Sequence, residues 1–447
     1  MNKKNKLFTA LGISALLGFA FPYANHAVDD TYRQIKTVVD VMEIIKDNYV
    51  EEIDSQKLVY GAARGMVEEL DDFSQFMEPD IYERVKSDTE GEFGGIGIRL
   101  DIQEGWPTVV TPLPGTPAFK AGMYPGDKII KIEGESTKDM IIDEVIKRLR
   151  GKPGAKVRLT TAREPADKNA DWITRDIDLV RDLIKNEVIR HKMLENGIGY
   201  IKVIDFSGHV MDEFSKSLEA LKKQNMQALV IDLRYNPGGL LTAAVDMSKF
   251  FLDSNKMIVF TKGRKDENYQ EFRSNSSAPD ADLPIVILVN RYSASASEIV
   301  TGALQDNKRA VVIGEGTFGK ASVQTMIPLF DKSALRITIA HYYTPGGKMI
   351  HKDPKTGKGG ITPDIEIKVS RDDEIKLIKK MDEIYYPEEK KEVEKKDAEK
   401  KEGAAAEVEN FKKSREPAKE EVKDEVLNRA VELLKARDIL SHLSKKT

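Results

Sequence analysis

The chain has 447 residues, and its 70 basic and 74 acidic side chains give a formal net charge of -4 at pH 7. A chain of this length exceeds the usual size of one core, so two or three folded units are expected. The balanced charge provides no basic field, which argues against nucleic acid as a partner. Cysteine is absent, which excludes thiol nucleophiles, disulfides and thiolate metal sites.

The first 27 residues have the layout of a secretory signal peptide. Three lysines precede the apolar run LFTALGISALLGFAF, and small residues follow at Ala24 and Ala27. The run is short for a membrane-spanning helix, so a signal peptide is favoured, with an uncleaved anchor as the alternative. Both interpretations predict an exported protein of the periplasm or cell envelope, held at the inner membrane in the second case.

Residues 28–90 show a helical pattern, with Val38, Val41, Ile44 and Ile45 recurring three and four positions apart. This predicts a helical N-terminal region. Because the region has little core of its own, its apolar face favours packing against a second copy of the chain. A homo-oligomer is therefore expected.

Two folded units are predicted in the middle of the chain. Residues 91–166 contain short β-rich runs such as KIIKIEG and AKVRLTTA, separated by glycine and proline, which indicates a compact β-rich domain. Residues 167–385 alternate strands and helices, from IGYIKVIDF to AVVIGE, which indicates an α/β core with strands buried on both faces.

The C-terminal part changes composition. Residues 386–420 mix charges with almost no apolar side chains, which predicts a solvated linker. Residues 421–447 include VLNRAVELLKARDIL, whose period is typical of an amphipathic helix suited to docking or dimerisation.

The strongest chemical signal is the run NRYSASASEIV, which follows the apolar strand PIVILVN and opens a helix. A serine at such a turn can be exposed, while the amides of the helix start face developing negative charge. Serine needs a base, and the six histidines form no catalytic or metal spacing. A lysine whose pKa is lowered by burial can serve instead, and Lys320 in GTFGKASVQ is the candidate.

Four motifs, in chain order DLRYNPGGLL, SASASEI, GTFGKASVQ and YYTPGGKMIHKDPKTGKGGITPDI, resemble the carboxyl-terminal processing protease family, also called tail-specific proteases. The resemblance spans about residues 29–368. It implies a mixed α+β fold: a crotonase-like β/α catalytic core with an inserted PDZ domain and helical N- and C-terminal regions. It also implies a serine endopeptidase that cleaves proteins near their C-termini, without a metal or an organic cofactor.

The resemblance assigns the site residue by residue. Ser295 is the nucleophile, Lys320 is the general base, and Gln324 helps to orient the lysine. The amides of Ala296 and of Gly238, the latter in NPGG, form the oxyanion hole. Donors of this kind stabilise a tetrahedral intermediate by a few kcal/mol each.

Two features complicate this assignment. Many family members have a small pair before ASASE, whereas this chain has Arg291 and Tyr292, which puts the shape of the adjoining pocket in doubt. The segment GEGTFGKA also nearly imitates a phosphate-binding loop, but an alanine follows the lysine where the motif needs serine or threonine. A nucleotide site is therefore not expected.

The block GEFGGIGIRL, followed by GTPAFKAGMYPGDKIIKIEGES, is similar to a PDZ domain. Such a domain catches a peptide carboxylate on backbone N–H groups and adds the peptide to a sheet edge. Gly94, Gly95, Ile96 and Gly97 are the candidates for the carboxylate loop, so protein or peptide tails with free C-termini are the expected partners. The resemblance also implies that the PDZ domain gates activity, with Arg163 as a candidate relay.

A different class of function is a catalytically silent PDZ adaptor that recruits protein partners. The joint presence of Ser295, Lys320, Gln324 and NPGG favours the enzyme. The sequence leaves open the natural substrates, the oligomer number and the need for an activating adaptor protein.

Overall fold

The structure is a computed structural model that describes residues 33–113, 115–164, 171–275, 280, 282–353, 355–370, 373–374, 376–377 and 423–444, with side chains of the last range described to residue 437. Its contacts divide the chain into two compact units. Unit one comprises the residues up to Tyr82 together with Gln324–Thr338, and unit two comprises Glu83–Val323 and the residues from Ile339 onward. The predicted leader at 1–27 and the charged linker at 386–420 lie outside the described residues.

Unit one is mainly helical. It contains α1 (33–48), α2 (Ser55–Glu68), β1 (Gln75–Met77) and the start of α3 (Pro79–Glu90). The side chain of Asp54 caps α2 by accepting from the N–H of Gln56 at 2.9 Å. A small cluster of Tyr60, Val67 and Phe76 forms its core. The predicted helical N-terminal region is confirmed, whereas its role in oligomerisation stays a prediction.

The first part of unit two is β-rich. Its elements are β2 (Glu92–Gly95), β3 (Ile98–Gln103), β4 (Trp106–Pro112), α4 (Pro117–Lys120), β5 (Lys128–Ile132), β6 (Glu135–Ser136), α5 (Ile142–Leu149), β7 (Lys156–Arg163), β8 (Ile173–Val180) and β9 (Asp182–Lys185). The main sheet has the order β3-β4-β5-β7-β8, with β6 beside β5, and β2 pairs separately with β9. Strand β3 therefore lies at a sheet edge. Apolar side chains such as Ile96, Val145 and Leu159 fill the core beneath it.

The second part of unit two is an α/β core. Its elements are β10 (Ile189–Met193), β11 (Ile198–Val203), α6 (Val210–Lys223), β12 (Ala228–Asp232), α7 (Leu241–Lys249), β13 (Met257–Gly263), β14 (Gln270–Arg273), β15 (Ile285–Val289), α8 (Ala296–Asp306), β16 (Val311–Gly314), β17 (Ser322–Pro328), β18 (Ala334–Tyr343), β19 (Ile365–Glu366) and α9 (Glu425–Ser444). Strands β17 and β18 begin or end in unit one.

A six-stranded sheet of order β10-β11-β12-β15-β16-β19 forms the centre of this core. Its strands from β11 onward pair in parallel, and β10 pairs antiparallel to β11. Every residue of β11, β12 and β15 is buried, as expected for parallel strands covered on both faces.

Helices cover both faces of that sheet. On one face α6 inserts Val210, Phe214 and Leu218, which recur four positions apart and so lie on one side of the helix. On the other face α9 buries Val426 and Ala430 against the sheet. The predicted mixed α/β fold with a compact β-rich domain and helical ends is confirmed, whereas the domain boundaries stay predictions.

In the ranges that the structure describes, no helix is both long enough and apolar enough to cross a membrane.

Candidate active site

Three neighbouring parallel strands place the proposed catalytic residues at one edge of the sheet. Gly238 lies in the loop after β12, Ser295 in the turn after β15, and Lys320 in the loop after β16. Because the strands are parallel and adjacent, their carboxyl ends meet at the same edge, where α/β proteins usually bind ligands.

Ser295 has an unusual backbone conformation. It precedes α8 with φ 55° and ψ -114°, a positive φ that few residues other than glycine adopt. The flanking serines are fully buried, and their hydroxyls donate to carbonyls: Ser293 to Leu233 at 2.8 Å and Ser297 to Asn236 at 3.1 Å. Ser295 is half-buried, so among these three serines it alone is partly open to solvent.

A carboxylate that the sequence analysis did not single out joins the serine turn to the lysine loop. One oxygen of Glu298, Oε2, accepts from the N–H of Ser295 at 2.8 Å and from the N–H of Lys320 at 2.9 Å. The other oxygen, Oε1, accepts from Thr317 Oγ1 at 2.5 Å and from the N–H of Gly319 at 2.7 Å. Glu298 is fully buried, so these four donors stand in for the water it has lost.

Burial raises the pKa of Glu298, and the hydrogen bonds from Thr317, Lys320, Gly319 and Ser295 oppose that rise. The sequence did contain a signal for this residue. A serine followed three positions later by glutamate at a helix start is a capping box, in which the glutamate side chain returns to the N–H of the cap residue.

Tyr342 provides a second connection between the same two residues. Its hydroxyl lies within hydrogen-bonding distance of the carbonyl of Ser295, at 3.0 Å, and of the carbonyl of Lys320. Burial raises the pKa of Tyr342 well above its usual value, with Glu298 adding to the effect, so the hydroxyl stays protonated. The main chains of Ser295 and Lys320 are thus held together through their N–H and their C=O groups.

Gly238 lies directly against the serine turn. A Cβ at this position would lie 2.7 Å from Cβ of Ser295 and 3.0 Å from the nitrogen of Ala296, and φ is +103°. Only glycine fits both constraints. The loop after β12 can therefore approach Ser295 and Ala296 closely.

The N–H of Gly238 already has a partner, because it donates to Oδ1 of Asn236 at 2.8 Å. The carbonyl of Gly238 accepts from the N–H of Phe206 at 2.8 Å. In a planar trans peptide the following N–H points the opposite way, so the N–H of Gly239 is directed away from Phe206. The N–H of Gly238 can bind an oxyanion only after its hydrogen bond to Oδ1 of Asn236 breaks.

Gln324 belongs to unit one, and its amide nitrogen donates to the carbonyl of Phe73. This hydrogen bond uses the donor side of the amide. The predicted role of Gln324 in orienting Lys320 stays a prediction.

The unusual pair before the serine motif connects neighbouring loops. Arg291 donates to Glu315 at 3.0 Å and also to Glu374. The ring of Tyr292 stacks on Tyr235, with centroids 5.7 Å apart and planes 24° apart. Tyr235 immediately precedes NPGG, so the bulky pair stabilises the loop after β12 next to the serine turn.

In the PDZ domain, the turn between β2 and β3 directs its carbonyls inward. The carbonyl of Ile96 accepts from the N–H of Ala118 at 3.0 Å, and that of Gly97 accepts from the N–H of Leu113 at 2.9 Å. Because each peptide is planar and trans, the N–H groups of Gly97 and Ile98 point the other way, away from the domain interior. This arrangement is suited to an anion such as a peptide carboxylate.

The other two glycines of the predicted carboxylate loop lie in β2. Gly94 pairs with Leu183 and Gly95 with Asp182 of β9. A Cβ on Gly94 would lie 2.0 Å from the carbonyl oxygen of Gly151, so glycine is required there for packing. The turn itself consists of Ile96 and Gly97.

Arg163 lies at the end of β7 and is fully engaged within the PDZ domain. Its guanidinium makes two hydrogen bonds to the buried carboxylate of Asp127, at 2.6 and 2.8 Å, and a third to the carbonyl of Gly122 at 3.1 Å. It also lies over the ring of Tyr124 at 4.6 Å. These contacts stabilise the turn before β5, and the relay role of Arg163 stays a prediction.

Within the described part of the chain, no three histidine, cysteine, aspartate or glutamate side chains are grouped so that they could hold a metal ion. The contacts of the Ser295 main chain include the carboxylate of Glu298, at the N–H, and the hydroxyl of Tyr342, at the C=O.

Comparison with known families gives three matches along the chain. The model of peptidase family S41 matches residues 197–367, a PDZ domain model matches 108–163, and the model described as the activating protease CtpB N-terminal domain matches 20–81. The S41 match contains all three loops of the site described above.

Comparison with individual proteins agrees. A carboxy-terminal-processing protease of Bartonella bacilliformis is 37% identical over 358 residues, covering 79% of this chain and 80% of the relative. The carboxy-terminal processing protease CtpA of Bacillus subtilis is 35% identical over 325 residues, covering 72% of this chain and 67% of the relative. Among solved structures, a photosystem II D1 C-terminal processing protease is 28% identical with a TM-score of 0.43, covering 74% of this chain and 92% of that chain. The chain therefore belongs to the carboxy-terminal processing proteases of peptidase family S41, a family of serine peptidases.

Proposed function

We propose that this protein is an exported serine endopeptidase that cleaves proteins near their C-termini by a Ser-Lys mechanism, with its PDZ domain holding the substrate tail. The main support is that the backbone N–H groups of Ser295 and Lys320 both donate to the same atom, Oε2 of Glu298. This supports the proposal because nucleophilic catalysis requires the nucleophile and its base to lie on neighbouring segments.

In the proposed reaction, the uncharged amine of Lys320 takes the proton from the hydroxyl of Ser295. The Oγ atom then attacks the scissile carbonyl to give a tetrahedral intermediate. Collapse breaks the C–N bond, and Lys320 returns the proton to the departing amine. Water then attacks the acyl-enzyme, again with Lys320 as the base, and releases the acid product.

The oxyanion is stabilised by backbone amides. Ala296 supplies the first N–H, at the start of α8, where the helix dipole favours negative charge. Gly238 supplies the second when Asn236 releases it, and the N–H of Gly239 is the alternative donor from the same loop. In this scheme Gln324 orients Lys320.

Tail recognition is proposed at the turn before β3. The tail carboxylate binds the outward N–H groups of Gly97 and Ile98, and the peptide adds as a strand to the open edge of β3. A bound tail raises the local concentration of substrate at Ser295, and tail binding gates the active site.

The test is cleavage of an unfolded protein with a free C-terminal carboxylate. We expect Ser295→Ala and Lys320→Ala each to abolish cleavage, while Lys348→Ala, which removes an exposed lysine, leaves it unchanged. Amidation of the substrate tail removes the anion and is expected to slow cleavage. Undiminished cleavage by Ser295→Ala or Lys320→Ala would reject the mechanism, and tail binding without cleavage by the unchanged protein would favour the silent adaptor.

The proposed setting is the periplasm or cell envelope, after export by the N-terminal leader. The proposed partners are protein substrates with free tails and further copies of this chain, with an activating adaptor protein as a third candidate. Size-exclusion chromatography with light scattering would give the oligomer number.

A further inference from the structure

A buried arginine connects the C-terminal helix to the active-site loop. The guanidinium of Arg234 lies between two carboxylates, and its side chain is 4% exposed. It donates to Asp232 at 2.6 Å through Nη2, and to Asp424 at 2.9 Å through Nη1 and 2.8 Å through Nη2. The two contacts with Asp424 form a bidentate pair, which fixes direction as well as distance.

Arg234 is the point at which the chain leaves β12 and enters the NPGG loop. Its carbonyl accepts from Nζ of Lys202, and the N–H of Tyr235 donates to Oδ1 of Asn290 at 3.0 Å. Tyr235 itself has a positive φ of 61°. Such a conformation persists only where surrounding contacts hold it, and Gly238 lies three residues beyond Tyr235.

Asp424 is in turn fixed by α9. Its Oδ1 accepts from the N–H of Leu427 at 3.0 Å, as a helix cap does. The same helix buries Val426 and Ala430 in the sheet face opposite α6. Docking of α9 therefore sets the position of the Asp424 carboxylate.

Glu374 holds the same loop from a second direction. Its Oε1 accepts from the hydroxyl of Tyr235 at 2.9 Å, and its Oε2 accepts from Arg291, which precedes the serine motif. Glu374 is 6% exposed. Both Asp424 and Glu374 lie beyond residues 197–367, the range matched by the S41 model.

We propose that Asp424 and Glu374 are positioning residues that fix the start of the NPGG loop, at Arg234 and Tyr235, beside the serine turn. Neither contacts substrate. This inference rests on the proposed function, because the proposed function assigns the NPGG loop to the oxyanion hole. Through Asp424, the C-terminal helix α9 would contribute to positioning that loop.

The main test compares Asp424→Asn with Glu432→Gln in the full-length protein. Asparagine also caps helices, so Asp424→Asn keeps the cap of α9 and removes the charge from Arg234. Glu432 is an exposed carboxylate on the same helix and does not contact the loop. Hydrolysis of a p-nitrophenyl ester gives kcat and KM, and a fluorophosphonate gives the labelling rate of Ser295 by intact mass.

We expect Asp424→Asn to lower kcat and the labelling rate by about tenfold, with KM nearly unchanged, because the interaction acts on the transition state. Asp424→Glu, which keeps the charge, is expected to recover part of this loss. Glu374→Gln is expected to lower kcat in the same way without altering α9, which makes the test independent of helix docking. Glu432→Gln is expected to behave as the unchanged protein.

If Asp424→Asn and Glu374→Gln both label within twofold of the unchanged protein, the positioning role is wrong and the proposed function stands. A rise in KM alone would also overturn it, since that would indicate a substrate contact. Absence of labelling at Ser295 in the unchanged protein would be a different failure, because it would reject the proposed function itself and this inference with it.

Discussion

At the scale of single residues, the site depends on a strained serine held by two buried polar groups. Ser295 keeps a positive φ, and conformations of this kind cost about 1–3 kcal/mol and persist only where neighbouring contacts hold them. Glu298 holds its N–H and Tyr342 its C=O, and both also hold Lys320. The same contacts that hold this conformation of Ser295 therefore also hold the main chain of Lys320 next to it.

Replacing Glu298 by glutamine tests this arrangement. A glutamine offers one acceptor oxygen and one NH₂ group, so one of the two pairs of donors now faces a donor. We expect Glu298→Gln to lower kcat for a p-nitrophenyl ester by about a hundredfold, since small misplacements of reacting groups cost that much. Glu366→Gln, an exposed carboxylate, serves as the control, and equal kcat values in the two variants would contradict the role of Glu298.

The pH dependence of stability provides a second test at Glu298. Burial raises its pKa above the ordinary 4.5, so the folded state binds the proton more tightly than the unfolded state. Its contribution to stability is full below the unfolded pKa and is lost as pH rises through the raised folded pKa. As pH rises from the unfolded to the folded pKa of Glu298, the melting temperature of the unchanged protein should therefore fall relative to that of Glu298→Gln. If the two melting temperatures, plotted against pH from pH 4 upward, stay parallel, the shift in pKa is contradicted.

At the scale of elements, the site consists of loops brought together by three adjacent parallel strands. The loop after β12 reaches the serine turn because Gly238 carries no side chain. Hydrogen bonds from Ala294 N–H and Ser297 Oγ to the carbonyl of Asn236 hold the two loops in contact. The loop after β12 and the start of α8 are thus packed directly against each other.

Gly238→Ala tests this close approach. The added methyl would lie 2.7 Å from Cβ of Ser295 and 2.8 Å from the carbonyl of Ala294, and neither atom can move without moving the turn. We expect loss of activity by at least about a hundredfold. Gly347→Ala is the matched control, because Gly347 also has a positive φ of +80° but has open space at Cβ. Similar activity in the two variants would contradict the argument.

In the PDZ domain, the turn before β5 depends on the ion pair between Arg163 and Asp127. Arg163→Ala leaves the carboxylate of Asp127, which is 2% exposed, without its guanidinium partner, and we expect a loss of about 2 kcal/mol or more in unfolding free energy. Arg158→Ala removes an exposed pair with Asp178 and is expected to lower the unfolding free energy much less. Urea denaturation of both variants gives the comparison. Equal losses would show that the Arg163 pair carries no more stability than a surface pair.

At the scale of the whole molecule, sequence patterns predicted the fold class and family well because both depend on local signals. Buried strands such as ALVID and IVILV are continuous apolar runs, and the serine, lysine and NPGG motifs each occupy one turn. Contacts between distant segments could not be predicted in this way. The sequence pattern at Glu298 predicts only a helix cap, and it does not indicate the contacts with Lys320 and Gly319. Arg234 and Asp424 are 190 positions apart, and no local pattern links them.

The proposed oxyanion donor, the N–H of Gly238, shows the same limit of sequence-based prediction. The motif NPGG indicates a close backbone approach, but only the folded loop shows that the N–H of Gly238 is bonded to Asn236. From the sequence alone, the bulky pair Arg291 and Tyr292 does not indicate the shape of the adjoining pocket. In the structure these side chains bind Glu315 and Glu374 and stack on Tyr235.

The proposed export of the chain is tested at its N-terminus. If the leader is a signal peptide, protein produced from the full sequence in a bacterium should be recovered with a new N-terminus near residue 27. Sequencing of the mature N-terminus by mass spectrometry tests this. An intact N-terminus in the membrane fraction would support the anchor instead.

In the proposed mechanism, the amine of Lys320 acts on the hydroxyl of Ser295. A crystal structure of the protein after reaction with a peptide boronate, which forms a tetrahedral adduct on a serine nucleophile, tests this contact. We expect a covalent bond from boron to Ser295 Oγ, with Lys320 Nζ within hydrogen-bond reach of that oxygen, about 2.6–3.2 Å. An adduct on another side chain, or a different base in contact with Ser295 Oγ, would contradict it.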